Sequence, residues 1–253
     1  MSLVTVENVG FGYTRSRPIL DNISFEVAEG DTVGLVGESG SGKTTILRLL
    51  VGLERPGSGT IHFDGAPLDP RNRAFMRSFR RQAQVVFQDP YSSLDPRQTI
   101  QAVIAEPLRS LRVEGDHPQM IKAALAAVGL DADAATRYPH QFSGGQRQRI
   151  AIARAIVARP RLLLADEAVS ALDLTTRIRI VELLAGLSQS MSLLLVSHDL
   201  GVVAALCRRV IILERGRIVE AGLTRDVLAH PQHPYTQRLL ASVPRLHLET
   251  PTP

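Results

Sequence analysis

The chain has 253 residues, 44% of them hydrophobic, enough for a large domain with a sizeable core. No apolar run reaches the roughly 18 residues of a membrane helix, the start MSLVTVENVG has no basic n-region and so argues against a signal peptide, and the single Cys207 excludes an internal disulfide, which suits a reducing compartment. The formal net charge of +4 is modest, and its 29 cations are 27 Arg and two Lys, Lys43 and Lys122.

In chain order, "LVTVENV" (3–9) and "NISFEVAEG" (22–30) predict two strands of a leading antiparallel sheet. "DTVGLVG" (31–37) predicts an apolar strand ending on glycine. A helix is expected from Lys43 to about Leu53, with Ile46, Leu47, Leu50 and Leu53 at helical spacing. "GTIHFDG" (59–65) is a short strand between glycines. The densest basic cluster follows: Arg71, Arg73, Arg77, Arg80 and Arg81. Few aromatics interleave with it, so it predicts a solvated helix face, with a place near anionic lipid as the alternative and a nucleic-acid site the least favoured. "AQVVFQ" (83–88) is a further strand. A helix-rich stretch runs from about 98 to 158, with Pro118 opening one helix and Gly129 closing it. "RLLLAD" (161–166) and "SLLLVSH" (192–198) are near-continuous apolar runs, the pattern of strands covered on both faces. Strand–helix alternation around buried strands predicts an α/β fold with a parallel sheet. The helix-only stretch breaks that alternation and predicts an inserted α-helical subdomain.

"GESGSGKT", Gly37 to Thr44, fits G-x-x-x-x-G-K-[ST] between a strand and a helix. Each part has a physical role. Gly37, Gly40 and Gly42, with Glu38, Ser39 and Ser41 between them, let the backbone curl so that successive N–H groups point at phosphate oxygens. The helix N-terminus adds partial positive charge. Lys43 reaches the outer phosphates, and the Thr44 hydroxyl can ligate Mg²⁺. In a chain that writes almost every cation as Arg, a lysine here suits a need for a compact ammonium on a flexible stem.

"LLLADEAVSALD" (162–173) ends a buried strand on two adjacent acids. Neighbouring carboxylates repel, and burying charge is costly unless it is paired or binds a metal. In P-loop NTPases a strand beside the P-loop strand carries such an acid at its tip, where it holds Mg²⁺. Asp166 suits that role. Glu167, one residue on, is placed to polarise an attacking water as general base. "FSGGQRQRIAIARA" (142–155) then opens a second helix on a small-residue turn, Ser143, Gly144 and Gly145. One nucleotide already has its cradle, so a second anion-binding helix N-terminus suggests a phosphate held by another subunit.

Together these motifs resemble the nucleotide-binding subunit of an ATP-binding cassette (ABC) transporter over about residues 3 to 230. In family order they are the P-loop Gly37–Thr44 with Thr45, Gln88, the signature turn Ser143–Gln146, Asp166–Glu167, "SALD" ending at Asp173, and His198. Tyr13 in "FGY" matches the aromatic on which the family stacks adenine. The resemblance implies a RecA-like core (1–88 and 160–230) with an N-terminal antiparallel β subdomain, a helical subdomain (about 89–159) and a C-terminal tail (231–253). It implies ATP and Mg²⁺ as cofactors, with Thr44, Gln88 and Asp166 at the metal. Glu167, His198 and Gln88 would serve catalysis. Two cassettes would sandwich ATP head to tail, each signature turn and Asp173 facing the other's P-loop. Two departures stand out: Phe142 replaces the usual Leu, and Ala168 replaces the usual Pro. Neither removes an acid.

"QVVFQDPYSSLDPR" (84–97) and "HPQHPYTQRLLASVP" (230–244) resemble the second ATPase subunit of oligopeptide, dipeptide and nickel importers. That resemblance implies two permease subunits, a second ATPase chain or a homodimer, and an extracytoplasmic solute-binding protein acting indirectly. It places the chain peripherally on the cytoplasmic face of the inner membrane and implies no nucleic-acid partner. "DEAVS" tilts the expectation slightly toward a metal-chelate solute over peptide. The rival reading is a non-transport ABC ATPase in a soluble assembly such as the carbon–phosphorus lyase system.

Overall fold

The computed structural model describes residues 2–14, 18–170 and 172–242, without the side chains of Pro90 and Ser92. In chain order, β1 (Ser2–Phe11) and β2 (Leu20–Ala28) precede β3 (Thr32–Val36) and α1 (Lys43–Leu50). Then come β4 (Ser58–Phe63), β5 (Ala66–Pro67), α2 (Arg73–Gln82) and β6 (Ala83–Val86). The helical stretch holds α3 (Pro90–Ser93), α4 (Ile100–Ser110), α5 (His117–Ala127) and α6 (Gly144–Ile156), with two 3₁₀ turns between the last two. The chain continues with β7 (Leu162–Asp166), α7 (Leu174–Leu187), β8 (Ser192–Ser197), α8 (Leu200–Leu206), β9 (Arg209–Glu214) and β10 (Arg217–Leu223). Two helices close it, α9 (Thr224–Ala229) and α10 (Pro234–Ala241).

Two sheets result. The smaller is antiparallel, in the order β2-β1-β4-β5. The larger has the order β10-β9-β3-β8-β7-β6, parallel except for β10. The expected adjacency of the acid-tipped strand to the P-loop strand does not hold. β8 lies between β3 and β7, pairing with both. The short local patterns of three interchangeable apolar strands cannot specify their neighbours; the crossovers through α7 and α8 do. β9 and β10, which local pattern did not single out, complete the sheet on the other side of β3.

The apolar strands are covered on both faces, as their composition requires. In β7, Leu163 and Ala165 enter one core, with α4, α5, α6 and α8. Leu162 and Leu164 enter the other, with β1, β2 and α1. The period of two along a strand divides one sequence between two cores. Cys207 belongs to the helical-side core, and burial pushes its thiol up to about 12, so it serves as packing.

α5 starts as its punctuation predicts: Asp116 Oδ1 accepts from Gln119 N, and Pro118 sits in the first turn. Gly129 follows its end at φ +68°. α1 is shorter than expected. It stops at Leu50, the chain turns through Gly52 at φ +70°, and Leu53 is carried into solvent at 63% exposure. Within the basic cluster, Arg81 is drawn out of the solvated face: Nε donates to Leu111 O at 2.6 Å. It thereby ties α2 to the end of α4.

Candidate active site

Parallel strands deliver their loops to one edge, and here that edge gathers the chemistry. Val36 of β3 is level with Ser197 of β8, and Asp166 of β7 with Val196. Gly37, Glu167 and His198 therefore leave the sheet side by side.

Gly37 has no room for a side chain: a Cβ there would lie 2.2 Å from Leu213 O. Gly42 adopts φ 111° at the N-cap of α1, a conformation that suits glycine, and no side chain caps the helix. The first-turn donors are left for a ligand. Gly42, Lys43, Thr44 and Thr45 line a cavity of about 700 Å³ together with Ser39, Gly40, Tyr13 and Glu167. This lies within the usual range of about 300–1,000 Å³ for small-molecule sites. Lys43 is 5% exposed, and its Nζ donates to Gly37 O at 2.6 Å and Glu38 O at 2.9 Å. Burial lowers its pKa from the ordinary lysine value, against the pull of Glu167, Asp166 and Glu38.

Asp166 lies within electrostatic reach of Lys43. Burial raises its pKa, Glu167 adds to the rise, and Lys43 and Arg48 oppose it. Its carboxylate and the Thr44 hydroxyl are hard oxygen donors beside an under-compensated negative charge. That donor set fits a hard divalent cation such as Mg²⁺. Glu167 stands at φ +45°, a left-handed backbone that is strained for a glutamate. Its N–H donates to Val196 O at 2.9 Å, and its Oε1 is 3.3 Å from His198 Nδ1. The turn is held by Ser170, whose N–H and hydroxyl both donate to Glu167 O at 3.0 Å, and by buried Ala168 and Val169. Gln88 Nε2 donates to that same Ser170 Oγ at 3.3 Å, which links it to the acid turn rather than to Asp166 directly.

Tyr13 is 55% exposed; its hydroxyl accepts from Arg48 at 3.0 Å and its ring stands edge-on to Phe11. The signature turn is elsewhere. Ser143 and Gln146 form a reciprocal capping box at the start of α6, and neither they nor Gly144 and Gly145 line the P-loop cavity. Asp173 also lies outside it and caps α7 through Thr176 N at 3.0 Å. Gly145 and α7 touch: a Cβ on Gly145 would lie 2.3 Å from Thr176 Cγ2. The signature turn and the Asp173 cap thus form one contiguous surface. Arg48 and Arg215, both placed at the cavity or its tyrosine, were not foreseen. Arg215 sits in the β9–β10 turn, and no local motif marks it.

The "ABC transporter" family matches residues 20–170, more than half of the chain. The chain belongs to the ABC transporter family. A second family, "Oligopeptide/dipeptide transporter, C-terminal region", matches residues 219–252. A Brucella ovis protein named "Putative peptide import ATP-binding protein" is 48% identical over 249 residues, which is 96% of this chain and 78% of that protein. The Salmonella typhi "Glutathione import ATP-binding protein GsiA" is 47% identical over 235 residues, covering 91% of this chain and 38% of that longer protein. Among solved structures, cbiO1 from Clostridium perfringens, part of the ABC transporter complex cbiONQ, superposes with a TM-score of 0.81 at 26% identity, over 90% of this chain and 91% of that one. The ATP-binding cassette MJ0796, a dimer bound to ADP and Pi, superposes at 0.77 with 28% identity, over 88% of this chain and 99% of that one. This ABC subunit therefore binds ATP and is an ATPase coupled to transport. Its fold is that of the P-loop cassettes. None of the relatives named here carries nickel or a metal chelate in its name, so the slight tilt toward such a solute gains no support from them.

Proposed function

We propose that this chain powers a binding-protein-dependent importer of peptides or peptide-like solutes. The observation that carries the reading is the match of residues 219–252 to the oligopeptide/dipeptide C-terminal region, joined to 48% identity with a protein named for peptide import. The carbon–phosphorus lyase alternative has no such support.

In this reading the cassette spans residues 1–230, its helical subdomain about 89–159, and its tail 231–253. The N–H groups of Gly40–Thr45 and the Lys43 ammonium hold the phosphates, and Tyr13 stacks on adenine. Thr44, Asp166 and Gln88 would hold Mg²⁺. When bound, Mg²⁺ supplies charge neutralisation across the outer phosphates. Glu167 orients the attacking water and accepts its proton. His198, 3.3 Å from Glu167, steadies that carboxylate and reaches toward the terminal phosphate. The transition state of phosphoryl transfer is loose, so positioned donors do most of the work. Ser143–Gln146 and Asp173 serve the nucleotide of a second cassette, because they lie outside the cavity of their own chain. ATP closes the pair and hydrolysis reopens it. The partners are two permease subunits and a second ATPase chain or a second copy, with a solute-binding protein beyond the membrane. No helix among the described residues is long and apolar enough to cross a membrane, which suits a peripheral place on the cytoplasmic face of the inner membrane.

Affinity purification of the tagged subunit from detergent-solubilised membranes, followed by mass spectrometry, tests this. The expected result is co-recovery of two polytopic permeases and a second cassette. Recovery of soluble enzymes alone would overturn it.

A further inference from the structure

One peptide group in the phosphate cradle is held from both sides. The carbonyl of the Gly37–Glu38 peptide accepts from Lys43 Nζ at 2.6 Å. Its N–H donates to the Tyr235 hydroxyl at 2.9 Å, across 197 residues of sequence. The peptide is planar, so fixing its N–H also fixes the direction of its carbonyl. Among the described residues, Tyr235 is the partner found for that N–H. The neighbouring Glu38 carbonyl is taken by Ser41 N at 3.2 Å and by Lys43 at 2.9 Å. Tyr235 itself is 3% exposed and sits in the first turn of α10. That helix is anchored to the sheet at several points. Glu220 of β10 accepts from Gln232 N at 2.9 Å and His233 N at 3.1 Å. His233 Nδ1 accepts from Tyr235 N at 3.2 Å, and Arg238 pairs with Glu214 of β9 at 3.3 Å. The phenol is therefore presented by a fixed element, and it belongs to the C-terminal region rather than to the cassette motifs.

We propose that Tyr235 is a positioning residue for ATP binding: its hydroxyl orients the Gly37–Glu38 peptide, and through it the Lys43 ammonium and the opening of the phosphate cradle. The inference rests on Gly37–Thr45 being the ATP cradle. Without the hydroxyl, a backbone N–H loses its partner and the peptide is held from one side only. Lys43 then loses a fixed carbonyl, and phosphate binding must first reorder the loop. Asp166 and Glu167 are held by β7 and β8, so turnover of bound nucleotide is left alone.

The test uses the full chain. Calorimetry with MgADP, which is not turned over, reads affinity; steady-state ATPase assays separate KM from kcat. Tyr235→Phe keeps the ring and its packing. It is expected to weaken MgADP about fivefold, the scale of one hydrogen bond, and to raise KM for ATP in parallel. The kcat is expected to stay within about twofold. Gln237→Ala removes an exposed contact of α10 with Pro231 O but keeps the Arg238–Glu214 pair and the hydroxyl, and should leave affinity unchanged. An unchanged affinity in Tyr235→Phe, or an equal loss in Gln237→Ala, would overturn the proposal. Amide exchange at Glu38 in the nucleotide-free wild type decides the point without any variant: protection supports the bond, and exchange at the solvent rate rejects it. Lys43→Ala tests the underlying reading separately. If it binds MgADP as the wild type does, the cradle is misassigned whatever Tyr235 does.

Discussion

Asp166 and Glu167 are neighbours in sequence with different surroundings. Asp166 ends a buried strand, and burial raises its pKa. A carboxyl with a raised folded pKa contributes stability that is fully present below its unfolded pKa and lost as pH rises through the folded value. At neutral pH the charged Asp166 is therefore a liability to the nucleotide-free fold. Asp166→Asn should raise the Tm of the nucleotide-free chain at pH 7 while abolishing hydrolysis. The gain should shrink as pH falls into the carboxylate range; differential scanning fluorimetry across pH reads this directly. Glu167 has a side chain facing the cavity and a strained backbone. Glu167→Gln should cut ATP turnover by about 10²–10⁴-fold, the usual contribution of a general base, while ATP binding survives. Unaltered turnover would remove Glu167 from that role.

At the scale of elements, the P-loop is placed by how closely α8 approaches β3. Gly34 in β3 meets Val203 of α8: an added Cβ would lie 2.5 Å from Val203 Cγ1. A methyl group there has no space, and overpacking costs about 1–3 kcal/mol. Gly34→Ala should lower Tm, and adding Val203→Ala should recover part of the loss. A double variant no more stable than Gly34→Ala alone would show that another contact limits the approach. The capping box of α6 acts in the same way on the other surface, fixing how Ser143 and Gln146 present the helix start.

Over the whole molecule, the signature turn and the Asp173 cap lie apart from the P-loop cavity. The P-loop cavity contains none of Ser143, Gly144, Gly145, Gln146 or Asp173. In the proposed head-to-tail pairing a single chain would hold an incomplete catalytic constellation, and the specific ATPase activity of the isolated subunit should fall on dilution. Activity per chain that is independent of concentration would mean one chain suffices. Elsewhere Arg161 spans the two sheets, pairing with Glu29 at 2.9 Å and with Asp64 at 2.9 Å. The antiparallel arm, which carries Tyr13, is thus tied to the strand that ends in the two acids.

Local and repetitive features were legible in the residues alone. The glycines and lysine of residues 37–44 announced a phosphate cradle because the needs of a tight, donor-rich loop are met by few residue types. The apolar runs at 161–166 and 192–198 announced buried strands because a strand covered twice must be apolar on both faces. The tertiary structure decided what depends on partners distant in the chain. It set β8 between β3 and β7, since any of these strands could pair with any other. It ended α1 at Leu50, where Gly52 turns the chain and leaves Leu53 outside. It brought Arg215 to the cavity, Ser170 between Gln88 and Glu167, and Tyr235 to the P-loop. Such contacts have no period and no motif, because they arise only where separate elements pack against one another.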